Sequence, residues 1–90
     1  MQGEIDVNSL ADLFDRIAIL LEIKGEDRFK VNAYRRAAES LRNETRDIFE
    51  LYREGKLTEI PGVGKAIAQK ISEILESGKL EFYERLTSEI

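Results

Sequence analysis

The sequence has 90 residues, of which 42% are hydrophobic and 36% charged, and its formal net charge is −4. This length and composition are typical of one folded domain rather than a disordered chain, so we predict a single domain over residues 1–90. Cysteine and histidine are both absent, which excludes disulfides, thiolate metal sites and histidine-based catalysis.

The apolar and charged residues are distributed unevenly. The longest apolar run, IAILL at 17–21, is far shorter than the roughly 20 residues that span a membrane, and the acidic amino terminus has no signal-peptide core. We therefore expect a cytoplasmic protein without membrane association. Residues 1–27 hold seven acids and two bases, whereas residues 30–46 hold five bases and two acids. A local basic face attracts a polyanion even on an acidic protein, because salt screens the distant charges.

All of the hydrophobic periodicity is helical. A first helix is predicted with Asn8 or Ser9 as its cap, ending near Lys24 with Gly25 in the left-handed conformation. A second helix is predicted over 30–42. Its inward residues are Val31, Tyr34, Ala37, Ala38 and Leu41. These patterns predict helices that pack closely, since the alanines allow a near approach.

The second half of the chain continues the helical pattern. Thr45 is the predicted cap of a third helix, which Gly55 ends and in which Ile48, Phe49 and Tyr52 point inward. A fourth helix is predicted from Gly64 to Glu76, followed by Gly78 and a short fifth helix. The predicted fold is an all-α, compact domain of four to five helices.

The segment IPGVGKAIAQKI at 60–71 joins the third and fourth helices. Pro61 fixes the chain before the turn, while Gly62 and Gly64 allow positive φ and leave the backbone bare. The unpaired N–H groups at the start of the fourth helix attract an anion, which would explain a lysine, Lys65, in a first turn where the helix dipole disfavours it. The alternative interpretation is a tight connection with no ligand.

Three motifs together resemble a known family. They are L-x-x-I-P-G-V-G-K-x-I-A-x-K-I at 57–71, NAYRRAA at 32–38 and ESGKL at 76–80. In order and spacing they resemble the amino-terminal lyase domain of family X DNA polymerases, the domain found in polymerase beta and its bacterial and archaeal relatives. The resemblance covers about residues 9–86 and identifies 57–71 as a helix-hairpin-helix motif.

The resemblance implies a DNA-binding repair module. Such a domain binds gapped or nicked DNA with a 5′-phosphate during base-excision repair, as a monomeric part of a longer polymerase chain, associated with the nucleoid. The residues implied to bind DNA or its phosphates are Gly62, Val63, Gly64, Lys65, Ala66, Lys30, Arg35 and Lys70. No cofactor is required, but the hairpin of the family holds Na⁺ or K⁺ through backbone carbonyls, which correspond here to Thr58, Ile60 and Val63.

The resemblance also implies a lyase activity, with Lys70 as the nucleophile that forms a Schiff base with a 5′-deoxyribose phosphate. A lysine with the reference pKa of about 10.4 is neutral in less than about one molecule in a thousand at pH 7. Partial burial and neighbouring cations such as Lys30 or Lys65 favour the neutral amine that attacks. The alternative for Lys70 is a solvated surface lysine. Tyr34 either borders the lyase pocket or only packs in the core.

The sequence departs from the family at three positions of the 5′-phosphate pocket. A second pocket lysine of the family is replaced here by Ala66, and a histidine is replaced by Phe29. A further lysine of the family is lost in the acidic stretch around Glu81 and Phe82. Arg36 is expected to pair with Glu39 or Glu22.

Three hypotheses for the function follow: a DNA-binding module, a lyase, and a helical protein-interaction domain. Polymerase activity is not expected, because nucleotidyl transfer needs metal-binding carboxylates on a separate catalytic domain.

Overall fold

The computed structural model describes residues 6–89, so the ends of the predicted domain, 1–5 and 90, lie outside the described residues. Five α-helices and one short 3₁₀ helix follow each other along the chain. They are α1 (Val7–Lys24), α2 (Arg28–Asn43), α3 (Ile48–Arg53), the 3₁₀ helix (Leu57–Glu59), α4 (Lys65–Ser77) and α5 (Glu81–Ser88). No strand occurs within 6–89, which confirms the prediction of an all-α fold.

Aspartates begin the first three helices. The carboxylates of Asp6, Asp27 and Asp47 each accept a hydrogen bond from the backbone N–H two residues later, at 3.2, 3.0 and 2.9 Å. The predicted caps Asn8, Ser9 and Thr45 are therefore wrong, as is the start of the second helix at residue 30. An ionised aspartate accepts the N–H bond and also stabilises the positive end of the helix dipole.

Glycines end α1 and α4, as the sequence predicts. Gly25 and Gly78 follow these helices in the left-handed conformation, with φ of 83° and 77°. The N–H of Gly78 donates to the carbonyl of Ile74 at 2.8 Å, which satisfies one of the last carbonyls of α4.

One hydrophobic core joins the five helices. The packing is densest between α1 and α2, and four alanines that are 0% exposed allow the close approach: Ala11, Ala18, Ala37 and Ala38. The five predicted inward residues of α2 are all buried. In α3, Ile48 and Leu51 are buried, whereas Phe49 and Tyr52 are half-buried. The prediction for α3 was thus wrong in omitting Leu51, which is 4% exposed.

The segment between α3 and α4 is anchored in this core. Leu57, Ile60 and Val63 are 5%, 1% and 4% exposed, so three apolar side chains fix the hairpin against the helices. Within residues 6–89, none of the helices combines the length and the apolar character needed to cross a membrane.

Candidate nucleic-acid interface

A tight turn joins the 3₁₀ helix to α4. The N–H of Val63 donates to the carbonyl of Ile60 at 3.0 Å, and Gly62 has φ of 79°. With Pro61 second and a positive-φ glycine third, this is a type II turn. A Cβ on Gly62 would lie 2.6 Å from Cδ of Arg36, so both the backbone conformation and the close approach of Arg36 require glycine here.

Gly64 does not have the backbone conformation that the sequence motif predicts for it. It is the N-cap of α4 with φ −87° and ψ −171°, so the expectation of positive φ is wrong for this glycine. A Cβ on Gly64 would meet nothing within 4 Å, and no side chain caps the helix. Among residues 6–89, no acceptor bonds the backbone N–H groups of Lys65, Ala66 or Ile67. Three donors at the positive end of α4 therefore remain available to an anion.

An open hollow of about 490 Å³ lies beside this helix start. We call it the lysine hollow. Its lining comes from α2, the turn, α4 and α5 and consists of Lys30, Ala33, Tyr34, Gly62, Gly64, Lys65, Ala66, Ile67, Lys70 and Phe82. The structure thus brings together seven of the residues that the sequence singled out, from segments up to 40 positions apart.

The charges in the lysine hollow are positive. Lys65 and Lys70 have no acidic partner within the described range, and Lys30 has only an exposed contact with Glu26 at 3.6 Å. A second hollow of about 350 Å³ lies across α4; Lys65 lines it as well, but so do the acids Glu73 and Glu76. Those carboxylates would repel a phosphate, so the charges favour the lysine hollow as the anion site.

Lys70 lies at the end of a column of aromatic rings. Its Nζ is 4.7 Å from the centroid of the Phe82 ring. Phe82 stacks on Tyr34 with centroids 6.1 Å apart, and Tyr34 stacks on Phe14 at 5.8 Å. Lys70 is half-buried, at the edge of the buried stripe as expected. A cation above an aromatic face is held by the ring quadrupole, so Phe82 positions the amine of Lys70.

Tyr34 combines its two predicted roles. It is 6% exposed and packs within the column, yet it lines the lysine hollow. Burial raises the pKa of the Tyr34 hydroxyl above its ordinary value of 10.0, so this group, already neutral at pH 7, stays able to donate a hydrogen bond. The contribution of Phe82 was missed, because sequence alone does not show that α5 folds back so that Phe82 stacks on Tyr34.

The two adjacent arginines of α2 point to different places. Arg35 donates from Nη2 to Oε1 of Glu22 at 2.7 Å and is not part of the lysine hollow. Arg36 lies against the turn at Gly62 instead of pairing with Glu22. The expected pairing of Arg36 with Glu39 or Glu22 is therefore wrong, since neither acid forms an ion pair with it within residues 6–89. The structure does not bring Arg35 together with the three lysines.

The three carbonyls expected to hold a monovalent cation belong to the hairpin. The Ile60 carbonyl accepts one hydrogen bond, from Val63, which leaves it one lone pair. The carbonyls of Thr58 and Val63 accept none within residues 6–89, and Pro61, three residues after Thr58, has no N–H to donate. Free carbonyl oxygens are suitable ligands for Na⁺ or K⁺, so these residues fit the predicted cation.

Comparison with known proteins gives two results. The family described as "Helix-hairpin-helix domain" matches residues 6–80. The chain is also 33% identical over 78 residues to the DNA polymerase/3′-5′ exonuclease PolX of Bacillus subtilis (strain 168). This alignment covers 87% of the chain and 13% of PolX, so the chain spans about an eighth of the length of that relative.

Proposed function

The chain belongs to the helix-hairpin-helix domain family, and from this premise we propose that it is a DNA-binding module of a family X DNA polymerase. The resemblance that the sequence predicted is confirmed by the family match and by the similarity to PolX. The module binds the DNA backbone and its 5′-phosphate at a gap or nick, in base-excision or gap-filling repair. It does so without reading sequence, because backbone amides recognise phosphates and not base edges.

The observation that carries this proposal is the uncapped start of α4. In each of α1 to α3 an aspartate accepts one of the first-turn amides, whereas α4 begins at a glycine without a side-chain bond. Lys30, Lys65 and Lys70 line the hollow beside it. A phosphate docked there accepts hydrogen bonds from free amides and lies close to three cations, which is a favourable anion site.

The primary test is the salt dependence of binding to a duplex with a one-nucleotide gap. Contact with about three to five phosphates gives a slope of log affinity against log salt of roughly −2.7 to −4.5. In the same titration, the amide NMR signals of residues 62–66 shift. An affinity that does not change with salt would contradict the proposal and would favour the alternative of a protein-interaction domain.

The monovalent cation at the hairpin is part of this proposal. The carbonyls of Thr58, Ile60 and Val63 would hold Na⁺ or K⁺, which neutralises charge between the hairpin and a phosphate. We expect tighter binding to gapped DNA in KCl than in tetramethylammonium chloride at equal ionic strength, because the large organic cation cannot enter such a site. Equal affinity in the two salts would contradict a bound cation.

A second candidate function is a 5′-deoxyribose phosphate lyase. The observation that favours it is the placement of Lys70 in the same hollow as Tyr34 and Lys30. The amine adds to the sugar aldehyde and loses water to form a Schiff base. Loss of a C2′ proton then breaks the C3′–O3′ bond, and water releases the sugar from the lysine.

Borohydride reduction tests this second candidate. It would trap the Schiff base as a covalent adduct, which disappears in Lys70→Ala and persists in the matched variant Lys65→Ala. An adduct that survives in Lys70→Ala would contradict the assignment of the nucleophile. If no adduct forms at high protein concentration, the chain is a DNA-binding module without this chemistry.

The proposal includes a cytoplasmic, nucleoid-associated location and a monomeric module within a longer polymerase chain. The polymerase and exonuclease activities named for PolX are not assigned to this segment, which corresponds to 13% of that protein. Gel filtration with and without gapped DNA would test the monomer, since a dimeric complex would elute earlier than a one-to-one complex.

A further inference from the structure

The side chain of Arg36 packs against the hairpin turn. An added Cβ on Gly62 would lie 2.6 Å from Cδ and 2.7 Å from Cγ of Arg36. The aliphatic part of the arginine therefore lies directly against the turn backbone. Ala33, one helical turn earlier on α2, lines the lysine hollow, and the spacing of three residues places Arg36 on the same face of the helix.

The charge of Arg36 is not neutralised by any acid in the part of the chain that the structure describes. Arg35, Arg42, Arg46 and Arg53 form ion pairs; Arg16, Arg28 and Arg85 form none within residues 6–89, but it is Arg36 that lies against the hairpin turn. Glu39 and Glu44 line a separate groove with Pro61; Glu44 pairs with Arg46, and within residues 6–89 neither acid forms an ion pair with Arg36. An exposed guanidinium thus lies beside the hairpin and remains available to an external anion.

We propose that Arg36 is a further phosphate-binding residue of the hairpin, which binds a second backbone phosphate beside the one docked on the amides of α4. This inference rests on the proposed function. Guanidinium binds phosphate through two parallel hydrogen bonds. Because the turn already restricts the aliphatic part of Arg36, less conformational entropy is lost on binding than for a free arginine.

The pairing of Arg35 with Glu22 provides a matched control. Arg36→Met and Arg35→Met remove the same charge from adjacent positions of one helix and keep an unbranched apolar side chain. We expect Arg36→Met to weaken binding to a gapped duplex roughly tenfold at low salt and to reduce the magnitude of the salt slope by about 0.9, the value for one phosphate. Arg35→Met leaves the slope unchanged, because Arg35 is already paired with Glu22 and lies outside the lysine hollow, contrary to its implied role in DNA binding. Arg36→Lys retains the slope with intermediate affinity.

The arginine side chains give a direct signal in the unmodified protein. In the same titration, the Nε–Hε NMR signal of Arg36 shifts and that of Arg35 does not. Urea unfolding of both methionine variants verifies that the fold is intact.

The outcomes separate this inference from the proposed function. If the unmodified protein binds gapped DNA with a steep salt slope and Arg36→Met has the same slope, the inference is overturned while the function stands. Equal slope changes in both methionine variants also overturn it, because they indicate a general effect of charge. If the unmodified protein shows no salt-dependent binding, the proposed function fails and the inference fails with it.

Discussion

Gly64 is a residue at which binding and stability favour different side chains. Its backbone, with φ −87°, suits any L-residue, and a Cβ there meets nothing within 4 Å. A serine would cap α4 better than glycine does, since its hydroxyl would accept the N–H of a first-turn residue. The cap would then occupy a donor that the phosphate needs.

We predict that Gly64→Ser stabilises the fold and weakens DNA binding. The free energy of unfolding should rise by about 0.5 kcal/mol, measured by urea denaturation. The affinity for gapped DNA should fall roughly tenfold, because the phosphate loses a charge-assisted hydrogen bond. Gly64→Val should weaken binding further and leave helicity unchanged. Unaltered DNA affinity in both variants would contradict the role of the α4 amides.

Glu44 connects stability to pH. Its side chain is 8% exposed, and hydrogen bonds from the Arg46 side chain and backbone lower the pKa of the Glu44 carboxyl below its ordinary value of 4.5. A lowered pKa means that the charged carboxyl stabilises the fold above about pH 4.5. This contribution is lost as the pH falls through the folded-state pKa.

We therefore predict that Glu44→Gln lowers stability at pH 7 and flattens its dependence on pH below about 4.5. Urea midpoints between pH 3 and pH 7 measure both effects. Arg46→Gln should flatten the same region in part, because the carboxyl loses its side-chain donors and keeps the backbone N–H of residue 46. An unchanged pH profile in Glu44→Gln would show that this carboxyl contributes nothing to acid unfolding.

At the level of the elements, α2 shows what the sequence could and could not predict. The prediction of its buried face is correct at all five positions, since the 3.6-residue period fixes which residues share a face. Its start was wrong, because the cap depends on Asp27 and not on the apolar pattern. The separate directions of Arg35 and Arg36 depend on neighbours from α1 and the hairpin, which the sequence of α2 does not contain.

In the hairpin, too, local features could be predicted from the sequence, whereas contacts with distant segments could not. The motif at 57–71 identified the turn, the uncapped start of α4 and the lysines around it. It did not identify Phe82 under Lys70, because that contact depends on how the distant helix α5 folds back to place Phe82 beside Tyr34 and Lys70. Residues close together in sequence were thus predicted more accurately than contacts between distant segments.

The packing of α1 against α2 predicts a strong effect of side-chain size. Ala38 is 0% exposed, so a larger side chain must displace neighbours that are already close-packed. We predict that Ala38→Leu lowers the free energy of unfolding by about 1–3 kcal/mol. Ala66→Leu, at an exposed position of α4, should change it by no more than about 0.5 kcal/mol. Equal unfolding midpoints in urea would contradict a tight α1–α2 contact.

For the whole molecule, ion pairs between segments separate the charges into faces. Asp12 and Asp15 of α1 bind Arg42, Glu22 binds Arg35, and Glu89 binds Lys24. These contacts neutralise cations away from the hairpin, whereas Lys65 and Lys70 have no such partner within residues 6–89. A chain with net charge −4 therefore still presents a local cationic surface at the hairpin, and that surface attracts a polyanion.

The same core that joins the helices also includes the hairpin. Leu57, Ile60 and Val63 are buried together with residues of α1 to α5, so the binding motif has no separate core of its own. A small domain with one core unfolds in a single cooperative transition. The start of α4 should therefore be as stable as α1, although it is exposed to solvent.

Substitution of Ile71 tests this cooperativity. Ile71 is 0% exposed and lies in α4, and Ile71→Val should lower the free energy of unfolding by about 0.5–1.5 kcal/mol. In a single transition, hydrogen exchange of the most protected amides in α1 and in α4 reports the same decrease. Ile19→Val is the matched control, because Ile19 is 50% exposed and its loss of a methyl group costs little. A decrease confined to the amides of α4 would mean that the hairpin unfolds independently, and the fixed geometry on which phosphate binding depends would then be lost before the rest of the fold.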